Sequence, residues 1–263
     1  MVTTARAIDP ARLTYTDGSN SAVGVGATGS VVSGELVSRE GLVRRVAIKL
    51  MSVSDECVST KHAMAQHAAP FGVARLIGTC VKGEHLCLVM HRYERSLADL
   101  IDDLAPMDEG AVRAVGRALC TTLAALHDAG IVVCDFNPAN VLLDELHAPF
   151  IFDFRAAVLC ESERQPTSRG NVQYMAPEAF NTRPLRASDV WSLACTLLEM
   201  HTGLAPWDAM CANHAIVAVG ICGRAPEVPS TMPACDVIRR CFALNPVDRP
   251  TVAELAAAMV VDK

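Results

Sequence analysis

The chain has 263 residues, a formal net charge of −6 at pH 7 and 51% hydrophobic residues, enough to bury one large domain or two small lobes. No apolar run reaches the roughly 20 residues that cross a bilayer, the N-terminus carries no signal-peptide pattern, and no basic block offers itself to nucleic acid. These features lead to the expectation of a soluble cytoplasmic protein, with the nucleus also open to it, and of no nucleic acid and no membrane span among its interactions.

In chain order, the first half reads as strands. Residues 21–36, SAVGVGATGSVVSGEL, and 42–50, LVRRVAIKL, are expected to form strands around a glycine-rich turn. Residues 73–90 are expected to form a hairpin that turns at Lys82-Gly83. One helix, roughly residues 53–68, interrupts them. The second half turns helical. Val112, Val115, Leu119, Leu123 and Leu126 recur at three and four residues, with Asp108 as N-cap and Gly130 past the end. Further helices are expected over ASDVWSLACTLLEMHTG, ACDVIRRCFAL and TVAELAAAMV. A strand-rich lobe followed by a helical one predicts a ligand cleft between them. Eleven cysteines form no C-x-x-C pair and are read as small core hydrophobes.

Several segments carry chemistry. Gly24, Gly26 and Gly29 form G-x-G-x-x-G, whose bare backbone can approach phosphate oxygens. A dinucleotide-binding turn would open into a helix, whereas another strand follows here, which favours a phosphate-covering hairpin. In VAIK, strand alternation puts Ala47 and Lys49 on one face, leaving room for a flat base and a charge for phosphates. Taken alone, VAIK also fits a solvated edge strand. Asp135 and Asn140 lie five apart in CDFNPAN. Asp153 ends the apolar strand FIFDF, where a carboxylate suits a hard cation; Asn140 and Asp153 would converge on it from one hairpin.

Together with Ala176-Pro177-Glu178, Asp189, Trp191 and Arg249, these motifs in this order resemble the eukaryotic protein kinase family, over roughly residues 22–260. The closing stretch APEVPSTMPACDVIRRCFALNPVDRPT and Pro138 resemble the tyrosine-kinase-like group, whose members are mainly serine/threonine kinases. The resemblance implies an α+β, two-lobed fold: an antiparallel-sheet N-lobe with one helix over about 12–90, a hinge at 91–94, and a larger helical C-lobe over 95–260. It implies ATP and Mg²⁺ as cofactors, a protein substrate, and Asp135, Lys49 and Asn140 as catalytic residues. Asp135 would take the proton of a substrate hydroxyl, and Asn140 and Asp153 would hold magnesium. Gly24, Val25, Gly26, Ala27, Gly29, Val31, Ala47, Lys49, Met90, His91, Tyr93 and Leu142 would surround the nucleotide, with Met90 as gatekeeper. Glu178 and Arg249 resemble the ion pair of the larger lobe.

The chain departs from the family pattern at five places. Val133-Cys134 replaces the His-Arg before the catalytic aspartate, so phosphorylation at Ser162, Thr167 or Ser168 is not expected to switch activity through that arginine. Asn137 replaces a lysine that neutralises the transferring phosphate, and Asn171 replaces a threonine that bonds the same network. Arg155 replaces the glycine after Asp153-Phe154: it would either hold the segment in one state, a non-glycine residue in a left-handed conformation costing about 1–2 kcal/mol, or point into solvent. The glutamate that pairs Lys49 falls on Thr60, four residues before Met64; Glu56, one turn earlier, is the alternative. An active serine/threonine kinase is the primary reading, and a pseudokinase that binds ATP or partners is the alternative.

Overall fold

A computed structural model of the chain describes residues 5–15, 22–26, 29–53, 56–159, 170–180, 184–207 and 217–260, with the side chains of 22–26, 29, 56 and 57 outside that description. Two compact units divide it, Met1–Glu94 and Arg95–Lys263.

The first unit is built on one six-stranded sheet, β1 (Leu13–Tyr15), β2 (Ala22–Gly26), β3 (Gly29–Val37), β4 (Val43–Ser52), β5 (Leu76–Lys82) and β6 (His85–Met90). The order is β1-β3-β4-β6-β5, with β2 also pairing β3. Strand β4 is central, between β3 and β6, so the edge-strand reading of VAIK does not hold. Its alternation is as expected: Val46, Ile48 and Leu50 enter a core with Leu13, Val32, Cys80, Cys87 and Val89. Each fully buried aliphatic side chain of this kind is worth ~1.5–3 kcal/mol.

Residues 5–15 cross over this core, a feature the sequence reading leaves out. The Ile8 amide donates to the Thr79 carbonyl and the Thr79 amide to that of Arg6, each at 2.8 Å. A 3-10 turn at Pro10–Arg12, capped by Asp9, then delivers β1 onto β3. Gly78 is where this segment lies closest: a Cβ there would strike the Arg6 carbonyl, and Ile8 Cγ1 at 2.9 Å. The one α-helix among the described residues of this unit, α1 (Glu56–Ala68), buries Val58, His62, Ala65 and, one residue past its end, Ala69, a three-to-four-residue stripe.

The second unit opens with β7 (Arg95–Ser96) and α2 (Leu97–Leu104), which starts at a reciprocal cap between Ser96 and Asp99. Helix α3 (Glu109–Asp128) carries the expected apolar stripe, all buried, with Asp108 accepting from the Ala111 amide at 2.8 Å. Short strands follow: β8 (Ile131–Val132), β9 (Val141–Leu143), β10 (Pro149–Ile151) and β11 (Val158–Leu159). Helices α4 (Arg186–Thr202), α5 (Cys235–Cys241) and α6 (Val252–Ala258) follow among the described residues, together with a π-helical turn at Val217–Ile221.

Five cysteines, Cys80, Cys87, Cys120, Cys195 and Cys241, are core residues. Burial pushes the Cys120 and Cys241 thiols up to about 12, which keeps them protonated and inert. Among the described residues, no helix is long and apolar enough to cross a membrane.

Candidate active site

In the second unit, β9 and β10 pair antiparallel, with Val141 opposite Ile151. The ladder extends one step further, where the Phe152 amide donates to the Asn140 carbonyl at 2.9 Å. Asn140 precedes one strand and Asp153 follows the other, so both lie at the same end of the hairpin. Asp153 is buried, has φ 65° and accepts the Arg155 amide at 3.1 Å. Of the Asp-Phe-Arg triplet it is Asp153, not Arg155, that takes the left-handed conformation. The expectation of left-handed strain at Arg155 is therefore corrected: the turn is made one carboxylate earlier, where the side chain bonds the backbone two residues on and stabilises the bend. Arg155 is half-buried and does not simply point into solvent.

Asp135 is held from several sides. Its Oδ1 accepts from Asn137 Nδ2 at 2.9 Å and from the Asn171 amide at 3.0 Å, and its Oδ2 accepts from Asn140 Nδ2 at 3.1 Å. Asn140 Nδ2 also donates to the Asp135 carbonyl at 2.9 Å. With its nitrogen so occupied, Asn140 presents Oδ1 as its remaining polar atom, the donor type that a magnesium ion takes. Asn137 and Asn171, the two substituted network positions, both touch the aspartate. Asn171 does so through its backbone, while its side chain caps the turn at Val172–Tyr174 by accepting from the Gln173 amide at 3.2 Å.

Beneath this loop lies a residue whose role the sequence reading does not assign. Asp189, fully buried near the start of α4, accepts from the Val133 amide at 2.9 Å, the Cys134 amide at 2.9 Å and His127 Nε2 at 2.8 Å. These bonds fix Cys134 at φ 68°, the left-handed bend that launches Asp135. The signal for His127 was present: it sits beside Leu126 and four residues past Leu123 on the buried side of α3, a polar residue where the pattern asks for an apolar one.

Glu178 and Arg249 form the expected ion pair, bidentate at 2.7 and 2.8 Å. Arg249 also donates to the carbonyls of Ala187 and Ala243 and lies over the Trp191 ring at 5.1 Å. Burial raises the Glu178 pKa, but hydrogen bonds from Arg249 and Ser188 outweigh it and hold the carboxyl below its ordinary 4.5.

In the first unit, Lys49 is buried and faces Val31 across one ladder and Leu88 across the other. Ala47 is paired with buried Met90. Residues 91–93 are stitched to Arg75: the His91 amide donates to its carbonyl at 3.0 Å, and its own amide donates to the Tyr93 hydroxyl at 3.1 Å. Arg44 donates to His91 Nε2 at 2.8 Å. Burial first, then the charges of Arg44 and Arg75, lower the His91 pKa from 6.5. Gly24, Val25, Gly26 and Gly29 lie in the β2–β3 hairpin, and Leu142 lies in β9 of the second unit. Ala27, Ser162, Thr167, Ser168 and the side chain of Glu56 lie outside the described residues; Thr60 and Met64 are half-buried.

The protein kinase domain family matches residues 18–261. Mitogen-activated protein kinase kinase kinase 1 of Arabidopsis thaliana is 31% identical over 70% of this chain and 31% of its own length. The serine/threonine-protein kinase BCK1/SLK1/SSP31 of Saccharomyces cerevisiae is 34% identical over 61% and 12%. Mitogen-activated protein kinase kinase kinase 2 of Arabidopsis thaliana is 27% identical over 89% and 39%. The chain thus spans well under half the length of these relatives. The antiparallel-sheet unit and the helical unit are those of the α+β, two-lobed kinase fold that the motifs imply. The chain belongs to the protein kinase family, with serine/threonine protein kinases among its relatives.

Proposed function

We propose that the chain transfers the γ-phosphoryl group of ATP to serine or threonine hydroxyls of proteins, with Asp135 as the base. The observation that carries this reading is the aspartate's fixation: three donors hold its carboxylate in one orientation, as phosphoryl transfer by positioning requires. Asn140 Oδ1 and Asp153 fit a magnesium ion, which when bound neutralises charge on the phosphates. Lys49 would contact the α- and β-phosphates. Gly24, Val25, Gly26, Ala27, Gly29, Val31, Ala47, Met90, His91, Tyr93 and Leu142 would enclose the nucleotide. Asp135 would orient the substrate hydroxyl and accept its proton.

A single kinase domain, with its N-lobe over about 12–90, a hinge at 91–94 and its C-lobe over 95–260, is supported by the unit boundary at Glu94 and Arg95. Membership of the tyrosine-kinase-like group rests on the closing sequence stretch and Pro138. A pseudokinase reading is favoured by one observation: an uncharged Asn137 bonds Asp135 where a lysine's charge is usual.

The deciding measurement is Mg·ATP-dependent phosphorylation of the chain itself or of a generic protein, compared with Asp135→Asn and Lys49→Met. Activity in the parent that both substitutions abolish supports transfer. Absence of activity throughout, with nucleotide binding still visible as a thermal shift, establishes the pseudokinase.

A further inference from the structure

On the first unit a groove of about 780 Å³ opens between residues 6–12 and the β3–β4 turn. Its floor is apolar: Ile8, Leu36 and Ile77 pack their inner sides on the core and turn their outer sides to the groove, beside Leu42, which is 67% exposed. Its rim is basic, with Arg6, Arg12, Arg39 and Arg44 against the carboxylates of Asp9 and Glu40. Arg12 and Arg44 bond only neutral acceptors, the Val37 carbonyl and the His91 ring, so none of the four guanidinium groups is paired with a carboxylate among the described residues.

Both walls are fixed in place. Residues 6–8 are bonded to Thr79, and the turn is closed by Ser38, whose hydroxyl accepts the Glu40 and Leu42 amides at 3.2 and 3.0 Å. A surplus of positive charge on a chain of net −6 is a local feature that selects an anionic partner. A simple anion would leave the apolar floor uncovered. A second copy of this acidic chain would bring its own net repulsion.

We propose that this groove docks an acidic, leucine-bearing linear segment of a protein partner. Guanidinium groups on the rim would receive its carboxylates, while its leucine covers Ile8, Leu36 and Ile77. This goes beyond phosphoryl transfer and holds whether or not the chain is catalytically active.

The test is fluorescence polarisation of a labelled peptide Asp-Glu-Leu-Asp-Leu-Glu with the full chain. Arg6→Glu/Arg39→Glu is expected to weaken binding roughly tenfold, whereas the charge-matched control Arg117→Glu/Arg224→Glu leaves it unchanged. Leu42→Ser, at an exposed position, provides a second variant that does not threaten the fold and should also weaken binding. The proposal is overturned by absence of binding, by equal affinity for Asp-Glu-Ser-Asp-Ser-Glu, or by equal loss in both arginine variants. It is likewise overturned if inorganic phosphate or polyadenylate displaces the peptide completely. A dimer in sedimentation that excludes the peptide and is lost in Arg6→Glu/Arg39→Glu would assign the groove to a second copy instead.

Discussion

Asn137 donates its side-chain nitrogen to Oδ1 of Asp135 at 2.9 Å. Protein kinases that phosphorylate serine and threonine carry a lysine at this position, two residues after the base. In the proposed reaction the amide would keep a contact to Asp135 without the charge that would stabilise the transferring phosphate. Asn137→Lys is therefore expected to raise kcat roughly tenfold, about 1.4 kcal/mol in the barrier, with little change in KM for ATP. Steady-state kinetics on a generic protein substrate check this. A lower kcat would show that the asparagine is matched to its surroundings and is no deficit.

Asp189 tests the support beneath the loop. It accepts three donors, and an asparagine there offers a single acceptor oxygen and sets its NH₂ against a backbone N–H. Each buried donor left without a partner costs about 1–3 kcal/mol. Asp189→Asn should lower the urea midpoint accordingly and reduce activity further, because Cys134 loses the bonds that hold its positive φ. Stability that falls while specific activity of the folded fraction is unchanged would separate the scaffold from the loop.

The Glu178–Arg249 pair has a pH signature. A carboxylate whose folded pKa lies below its unfolded one contributes stability above the unfolded value and loses it as pH falls through the folded one. The contribution is whole above pH 4.5 and fades at lower pH. Wild type should accordingly lose more stability on acidification than Glu178→Gln, in urea titrations at neutral and acid pH. At neutral pH, Arg249→Ala takes the guanidinium away from a carboxylate that is only 11% exposed and should cost about 3 kcal/mol.

Much of this arrangement is legible in the chain because its signals are local. The stripe from Val112 to Leu126 and the Asp108 cap specify α3, and the Lys82-Gly83 turn specifies the β5–β6 hairpin. Helix α2 is not among the expected helices: its one local signal is the Ser96 and Asp99 cap, and it is only eight residues long. What the sequence conceals is long-range. Nothing near Ile8 says that its amide bonds Thr79, seventy-one positions away, and nothing near Asp189 names Val133 as its donor. Arg155 shows the converse, where a motif position suggested strain that the backbone places on Asp153.

The crossing of residues 5–15 over the first unit can be tested through Gly78. A methyl group there would meet the Arg6 carbonyl and Ile8 side chain, and backbone cannot yield as a flexible side chain would. Gly78→Ala should therefore detach the segment, at about 1–3 kcal/mol. Hydrogen exchange reads this directly, as loss of protection at the Ile8 and Thr79 amides. Gly83→Ala makes the contrast, since its Cβ would stand in open space but at φ +61°, costing about 1–2 kcal/mol in conformation alone. Similar destabilisation is thus expected from two causes, with exposure of residues 5–15 in the first variant only. Because Arg6, Ile8, Asp9 and Arg12 line the groove, the acidic peptide should lose affinity for Gly78→Ala and keep it for Gly83→Ala. Equal peptide affinity in the two would mean that the crossing segment forms no part of the docking surface.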